Sequence, residues 1–208
     1  TTKASVENST ISTDYLALNS TTESSLVSVA GQVSVETSQK GVAAGLTWAE
    51  NNMRNTTGAY AKGITLNGIN GAETNLALAA ENKAKTWAVA VGASVSLGNG
   101  AAEGAYAENS GKNNTEAIVD KYETRDEQGA VTYTRDNTIN NAKNISVTAK
   151  DTTVEKGIAG TIAVAAGQNA MASIGGAVVY NNIGNGAADN QKQTVKAQLN
   201  YAAITTAS

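Results

Sequence analysis

The sequence predicts an all-β solenoid, and three observations lead there: an internal repeat, a period-two apolar pattern, and a composition of small apolar residues without proline. The repeat is the strongest of these. Val29-Ala30-Gly31-Gln32-Val33-Ser34-Val35 returns as Val91-Gly92-Ala93-Ser94-Val95-Ser96-Leu97 and again as Ile158-Ala159-Gly160-Thr161-Ile162-Ala163-Val164. Behind each copy comes a second block, in which Trp48-Ala49-Glu50-Asn51 matches Tyr106-Ala107-Glu108-Asn109 and Val178-Val179-Tyr180-Asn181. Ahead of each lies a third block: Leu16-Ala17-Leu18, Leu76-Ala77-Leu78 and Ile145-Ser146-Val147. Ordered blocks recurring at roughly 60–70 residues imply stacked copies of one supersecondary unit. The repeats fall approximately at 10–69, 70–138 and 139–208, and together they predict a single elongated domain over 1–208.

Composition agrees. The 208 residues include no Phe and only 4% aromatics, so Ala, Val and Gly would have to fill a thin core. The absence of Pro suits long sheets in which every N–H feeds a ladder. Leu26-Val27-Ser28-Val29 and Trp87-Ala88-Val89-Ala90-Val91 follow a period of two, with β-branched residues on one parity, which predicts strands burying that parity. Asn, Gly, Ser and Thr supply the breaks: Asn19-Ser20-Thr21-Thr22, Gly98-Asn99-Gly100 and Gly184-Asn185-Gly186. Short strands between such turns predict rungs of roughly 20–25 residues, about nine in all, in a rod ~40–45 Å long.

Two sets of residues stand out. Asn51, Asn109 and Asn181 are equivalent, as are Asn55, Asn113 and Asn185. Asn at a fixed place in each repeat can hold a left-handed turn or bond along a stack, so these are assigned structural turn or ladder roles. The second repeat carries a polar insertion over 120–136. Tyr122 and Thr124 alternate with charges on one side of Glu127-Gln128-Gly129, and Val131 and Tyr133 on the other, which predicts a β-hairpin projecting from the rod. Insertions in repeat proteins map to loops and binding faces, so Tyr122, Arg125, Tyr133 and Arg135 are the candidate ligand-binding residues.

Little chemistry is available otherwise. Without His or Cys there is no catalytic triad, thiolate nucleophile or imidazole metal site. Asp120, Asp126, Glu127 and Asp136 in the insertion are the candidate acids, but Lys121, Arg125 and Arg135 lie beside them as on a mixed-charge surface, so no enzyme, metal or cofactor is expected. Net charge is −3 with no basic run, which argues against nucleic acid, and no apolar run approaches a membrane-spanning helix.

The stretch Gly157 to Gly167, followed by Gly175-Gly176-Ala177-Val178-Val179-Tyr180-Asn181-Asn182-Ile183, resembles repeats of large leukotoxin-like and filamentous-haemagglutinin-like bacterial surface adhesins. The first two repeats follow the pattern more loosely, and the hairpin insertion departs from it. Ser94 to Ala107 is similar, over one copy, to head repeats of trimeric autotransporter adhesins. The first resemblance implies a right-handed parallel β-helix, export to the outer-membrane surface or beyond, and a role in attachment or biofilm formation. The implied partner is a host or bacterial surface glycan or protein. An alternative is a filament or matrix subunit that self-associates end to end through its β edges.

Overall fold

The computed structural model describes residues 1–168, 170, 172–184 and 193–206. It is all-β with parallel sheets, and among the described residues there is no α-helix, only a 3-10 turn at Ile69–Gly71. The first pass of the chain makes β1 (Thr2–Glu7), β2 (Thr10–Ser12), β3 (Tyr15–Glu36) and β4 (Val42–Met53). The second makes β5 (Thr56–Lys62), β6 (Thr65–Asn67), β7 (Thr74–Ser96) and β8 (Gly100–Gly111). The third makes β9 (Asn114–Asp120), the hairpin β10 (Tyr122–Arg125) and β11 (Val131–Arg135), then β12 (Asn137–Asp151), β13 (Val154–Ala165) and β14 (Ala172–Ile183). After these come β15 (Thr194–Leu199) and β16 (Ala202–Thr206).

Each strand lies parallel to its counterpart in the next pass. One sheet runs β1-β5-β9-β15 and another β4-β8-β14. In the third, β2, β6 and β16 stack with the start of β12, while β3 and β7 stack with the rest of β12 and with β13. The expected 20–25-residue rung is therefore wrong. Thr2 pairs with Thr57 and Asn114 with Thr194, separations of 55 and 80 residues, so one sequence repeat is one whole pass. Strands such as β3 run 22 residues without a turn, because Asn19-Ser20-Thr21-Thr22 continues the ladder. A stack three or four strands deep measures ~10–15 Å between its outer strands, far less than the expected rod.

The register matches two of the sequence blocks and shifts the other. Leu16, Leu76 and Ile145 are aligned, as are Trp48, Tyr106 and Val178. Val29 and Ile158, however, pair with Val89 rather than Val91. A two-residue slip preserves side-chain parity, so sequence likeness alone does not detect it.

The larger correction concerns which parity is buried. Along β7, even positions point inward throughout. Near the start these are Leu76, Leu78 and Ala80, which pack with Ile64, Leu66, Val119 and Ile139 in an aliphatic core. Beyond Asn82 the inward residues become Ala84, Thr86, Ala88, Ala90, Gly92, Ser94 and Ser96, while Trp87, Val89, Val91 and Val95 point outward. β3 changes in the same way, from Leu16 and Leu18 inside to Val27, Val29, Val33 and Val35 outside. The second half of β3, β7 and β13 packs face to face with β4, β8 and β14, and the residues between them are mostly Ala49, Ala88, Ala90, Ala105 and Ala107. Side chains this small hold the two sheets close together, so most of the larger apolar residues of these strands lie on the outer faces.

A polar neck separates the two regions. Asn55 Nδ2 donates to Ser24 Oγ at 2.7 Å and to Asn82 Oδ1 at 3.1 Å. Asn82 Nδ2 donates to Asp151 Oδ2 at 3.1 Å, and Asn113 Nδ2 to Thr153 Oγ1 at 2.7 Å. Mutual satisfaction of this kind is what lets amides and a carboxylate sit inside at modest cost.

Candidate binding surface

The hairpin forms as the alternation predicts, with Tyr122 opposite Arg135 and Thr124 opposite Tyr133. Asp126 Oδ1 accepts from the Gln128 and Ala130 N–H groups at 3.1 and 2.8 Å, and Gly129 takes φ 84°, so the turn consumes the best-placed acid. Residues 125–134 are exposed, and the hairpin is tied to the stack at its base. Arg135 Nη1 donates to Asn8 Oδ1 at 3.2 Å, and its Nη2 to Thr10 Oγ1 at 2.9 Å and Thr65 Oγ1 at 2.8 Å. The Tyr133 hydroxyl also donates to Asn8 Oδ1, at 3.3 Å. Gly63, at φ 57°, lies beneath: a side chain there would strike Tyr122 and the Arg135 carbonyl. Arg125 bonds Glu123 and the Gly129 carbonyl, both at 2.8–2.9 Å, and the Tyr122 and Tyr133 rings meet edge to face at 6.2 Å. Lys121 and Arg125 beside Glu123 hold its carboxyl below the usual range. All four candidate ligand residues thus already have partners within the chain.

The asparagines divide. Asn51 Nδ2 donates to Asn109 Oδ1 at 2.9 Å, and Asn109 Nδ2 to Asn181 Oδ1 at 2.8 Å. The same amides reach across to the facing sheet, at the Trp87 and Lys156 carbonyls. This column clamps layers and sheets together. Asn55 N–H donates to Asn113 Oδ1 at 3.0 Å, whereas Asn185 lies outside the described residues. None of the described five has a positive φ; among the described residues the left-handed non-glycine positions are Asn8, Asn70, Asn141 and Tyr201. The sequence reading missed Asn137, which is fully buried where the hairpin rejoins the stack. Its Oδ1 accepts from Ile64 N–H at 3.0 Å and its Nδ2 donates to the Asp120 carbonyl at 2.8 Å. Because it occurs once, beside an insertion, no repeat pattern marks it.

Besides Asp151 in the neck, two carboxylates lie between the sheets. Glu103 accepts from Ser94 Oγ at 2.5 Å and Thr47 Oγ1 at 3.4 Å, in space that side chains at Gly45 and Gly92 would fill. Burial pushes the Glu155 carboxyl up, against the pull of the Asn182 and Gly111 amides, and neither oxygen reaches hydrogen-bond geometry. The two sit apart from each other in different strands, and among the described residues no three His, Cys, Asp or Glu side chains converge as a metal site.

The outer face of β4-β8-β14 presents the most distinctive chemistry. Trp48 and Tyr106 stand side by side in register, 56% of Trp48 is exposed, and the ring centroids are 4.6 Å apart. The next outward row is Glu50, Glu108 and Tyr180. The Tyr106 hydroxyl donates to Glu108 Oε2 at 2.7 Å, which pushes its pKa up. On the outer side of the neck, a cleft of about 530 Å³ is lined by Glu23, Ser25, Lys83, Lys85, Thr152 and Val154. Lys83 lies 3.2 Å from both Glu23 and Glu81, so most of the charge there is internally balanced. No family model, curated protein or solved structure matches the chain. Among the described residues no helix is long and apolar enough to cross a membrane.

Proposed function

We propose that the chain is a non-catalytic segment of a bacterial cell-surface adhesin. In this reading it is a right-handed parallel β-solenoid of three degenerate repeats with a hairpin insertion, lying outside the cell and serving attachment or biofilm formation. The observation that carries the reading is the outward row of Trp48 and Tyr106 beside Glu50, Glu108 and Tyr180, held on adjacent parallel strands. Aromatic faces next to carboxylates suit a surface glycan, whose apolar ring faces stack while its hydroxyls donate to Glu50 and Glu108, or an exposed protein segment. The hairpin serves as a clamp over the corner formed by Asn8, Thr10 and Thr65.

The test is binding of the purified chain to a glycan array and to surface proteins. Trp48→Ala with Tyr106→Ala is expected to abolish the signal, and excision of the hairpin to leave it. Binding that survives the double substitution but not the excision would return the site to Tyr122 and Tyr133. A second reading, end-to-end polymerisation into a filament, draws support from β3 and β4, each of which has a parallel partner on one edge only among the described residues. Filaments in negative-stain micrographs that lengthen with concentration would establish it.

A further inference from the structure

The outward side of β3, β7 and β13 is a grid of three strands by five positions. Its columns are Val27-Trp87-Lys156, Val29-Val89-Ile158, Gly31-Val91-Gly160, Val33-Ala93-Ile162 and Val35-Val95-Val164. The exposures are high for residues of this kind: Val29 74%, Val33 72%, Val35 64%, Ile162 63% and Ile158 53%. One charge occurs in the grid, and the Lys156 ammonium sits 4.7 Å over the Trp87 ring at its end. At strand and residue spacings, fifteen outward positions cover on the order of 500 Å² in plan, with a larger accessible area because the side chains stand up. A soluble protein rarely leaves so large an uncharged aliphatic surface bare.

We infer that this face is the interface of a homodimer, in which the aliphatic grids of two copies pack sheet on sheet. The occupant follows from the chemistry. The central columns offer no hydrogen-bonding side chain and no charge, so the complementary surface must be flat and aliphatic too, as this same face is. Covering it, with its rim, buries about the 800 Å² per partner of a standard interface. Gly31, beside Val91 at the centre, leaves a groove of about 290 Å³ that Val33 and Ala93 also line, a socket for a β-branched side chain of the facing sheet at the usual ~10 Å separation. Lys85 and Lys156 lie at one end of the face, so the copies run in opposite directions, which keeps the two lysine pairs apart.

Sedimentation velocity of the full chain over a concentration series tests this. The wild type is expected to pass from monomer to dimer and to stop there. Val33→Lys and Ile162→Lys, at exposed positions, should stay monomeric with an unchanged far-UV circular dichroism spectrum. Gly31→Leu is the subtler variant. A Cβ at Gly31 meets only the Val91 carbonyl oxygen, at an ordinary 3.8 Å, so the fold is unaffected, but the socket fills and the dimer should weaken by about tenfold or more. A wild-type monomer at about 100 µM, well above the micromolar range of such interfaces, would overturn the inference. So would a dimer, or filaments, that persist unchanged in Val33→Lys.

Discussion

The wide region around Leu76 and the flat region around Ala90 are built from the same strands by opposite rules. In the first, Leu66, Leu76, Leu78 and Ile139 are buried, and Asn75, Glu81 and Lys83 point outward in the ordinary arrangement. In the second, Ala and Ser are buried and Val, Ile and Trp point outward. The strand does not twist over between them; the large apolar residues change parity near Asn82. An alternating sequence therefore identifies a strand and its two faces, but the separation of the opposing sheet decides which face is the core.

That contrast can be broken from either side. Leu78→Ala should be the most damaging change, costing about 2–5 kcal/mol in urea unfolding because the aliphatic core cannot collapse onto the cavity. Val29→Ala, the same kind of truncation on the flat region's outer face, should cost the monomer less than about 0.5 kcal/mol. Ala90→Leu reverses the experiment: enlarging a fully buried residue should push the sheets apart and cost about 1–3 kcal/mol, with faster amide exchange in β7 and β8. Asn109→Ala should cost about 1–3 kcal/mol by removing one hydrogen-bond partner each from Asn51, Asn181 and the Lys156 carbonyl.

Glu155→Gln should act in the opposite direction and by the smallest amount. Burial raises the folded-state pKa of Glu155, so its charged form penalises the folded state at neutral pH, and the penalty disappears as falling pH protonates it. The amide variant should therefore melt higher than wild type at pH 7. Its advantage should shrink as pH falls into the ordinary carboxylate range, where both side chains are neutral. An advantage constant across pH would mean that packing, not charge, sets the effect.

Much of the candidate surface could be read from the sequence only as repetition. Trp48 and Tyr106 are aligned as repeat equivalents, and the structure places them side by side; nothing in the sequence says that this parity faces outward. The hairpin was legible because Gly129 and the flanking alternation are local signals. Its docking was not, because Arg135 meets Asn8 and Thr10 across more than a hundred residues of chain.

The sequence by itself determined the strand character, the repeat unit, the equivalence of Asn51, Asn109 and Asn181, and the hairpin turn. All of these rest on period, parity and turn chemistry, which are properties of neighbouring residues or of identical residues in successive copies. Only the tertiary structure decided that one repeat is one full pass, that most of the valines lie outside, and that the base of the hairpin is tied to Asn8, Thr10 and Thr65. Those outcomes depend on the distance between facing sheets and on where the chain closes back on itself, and both arise only when remote segments compete for the same interior space.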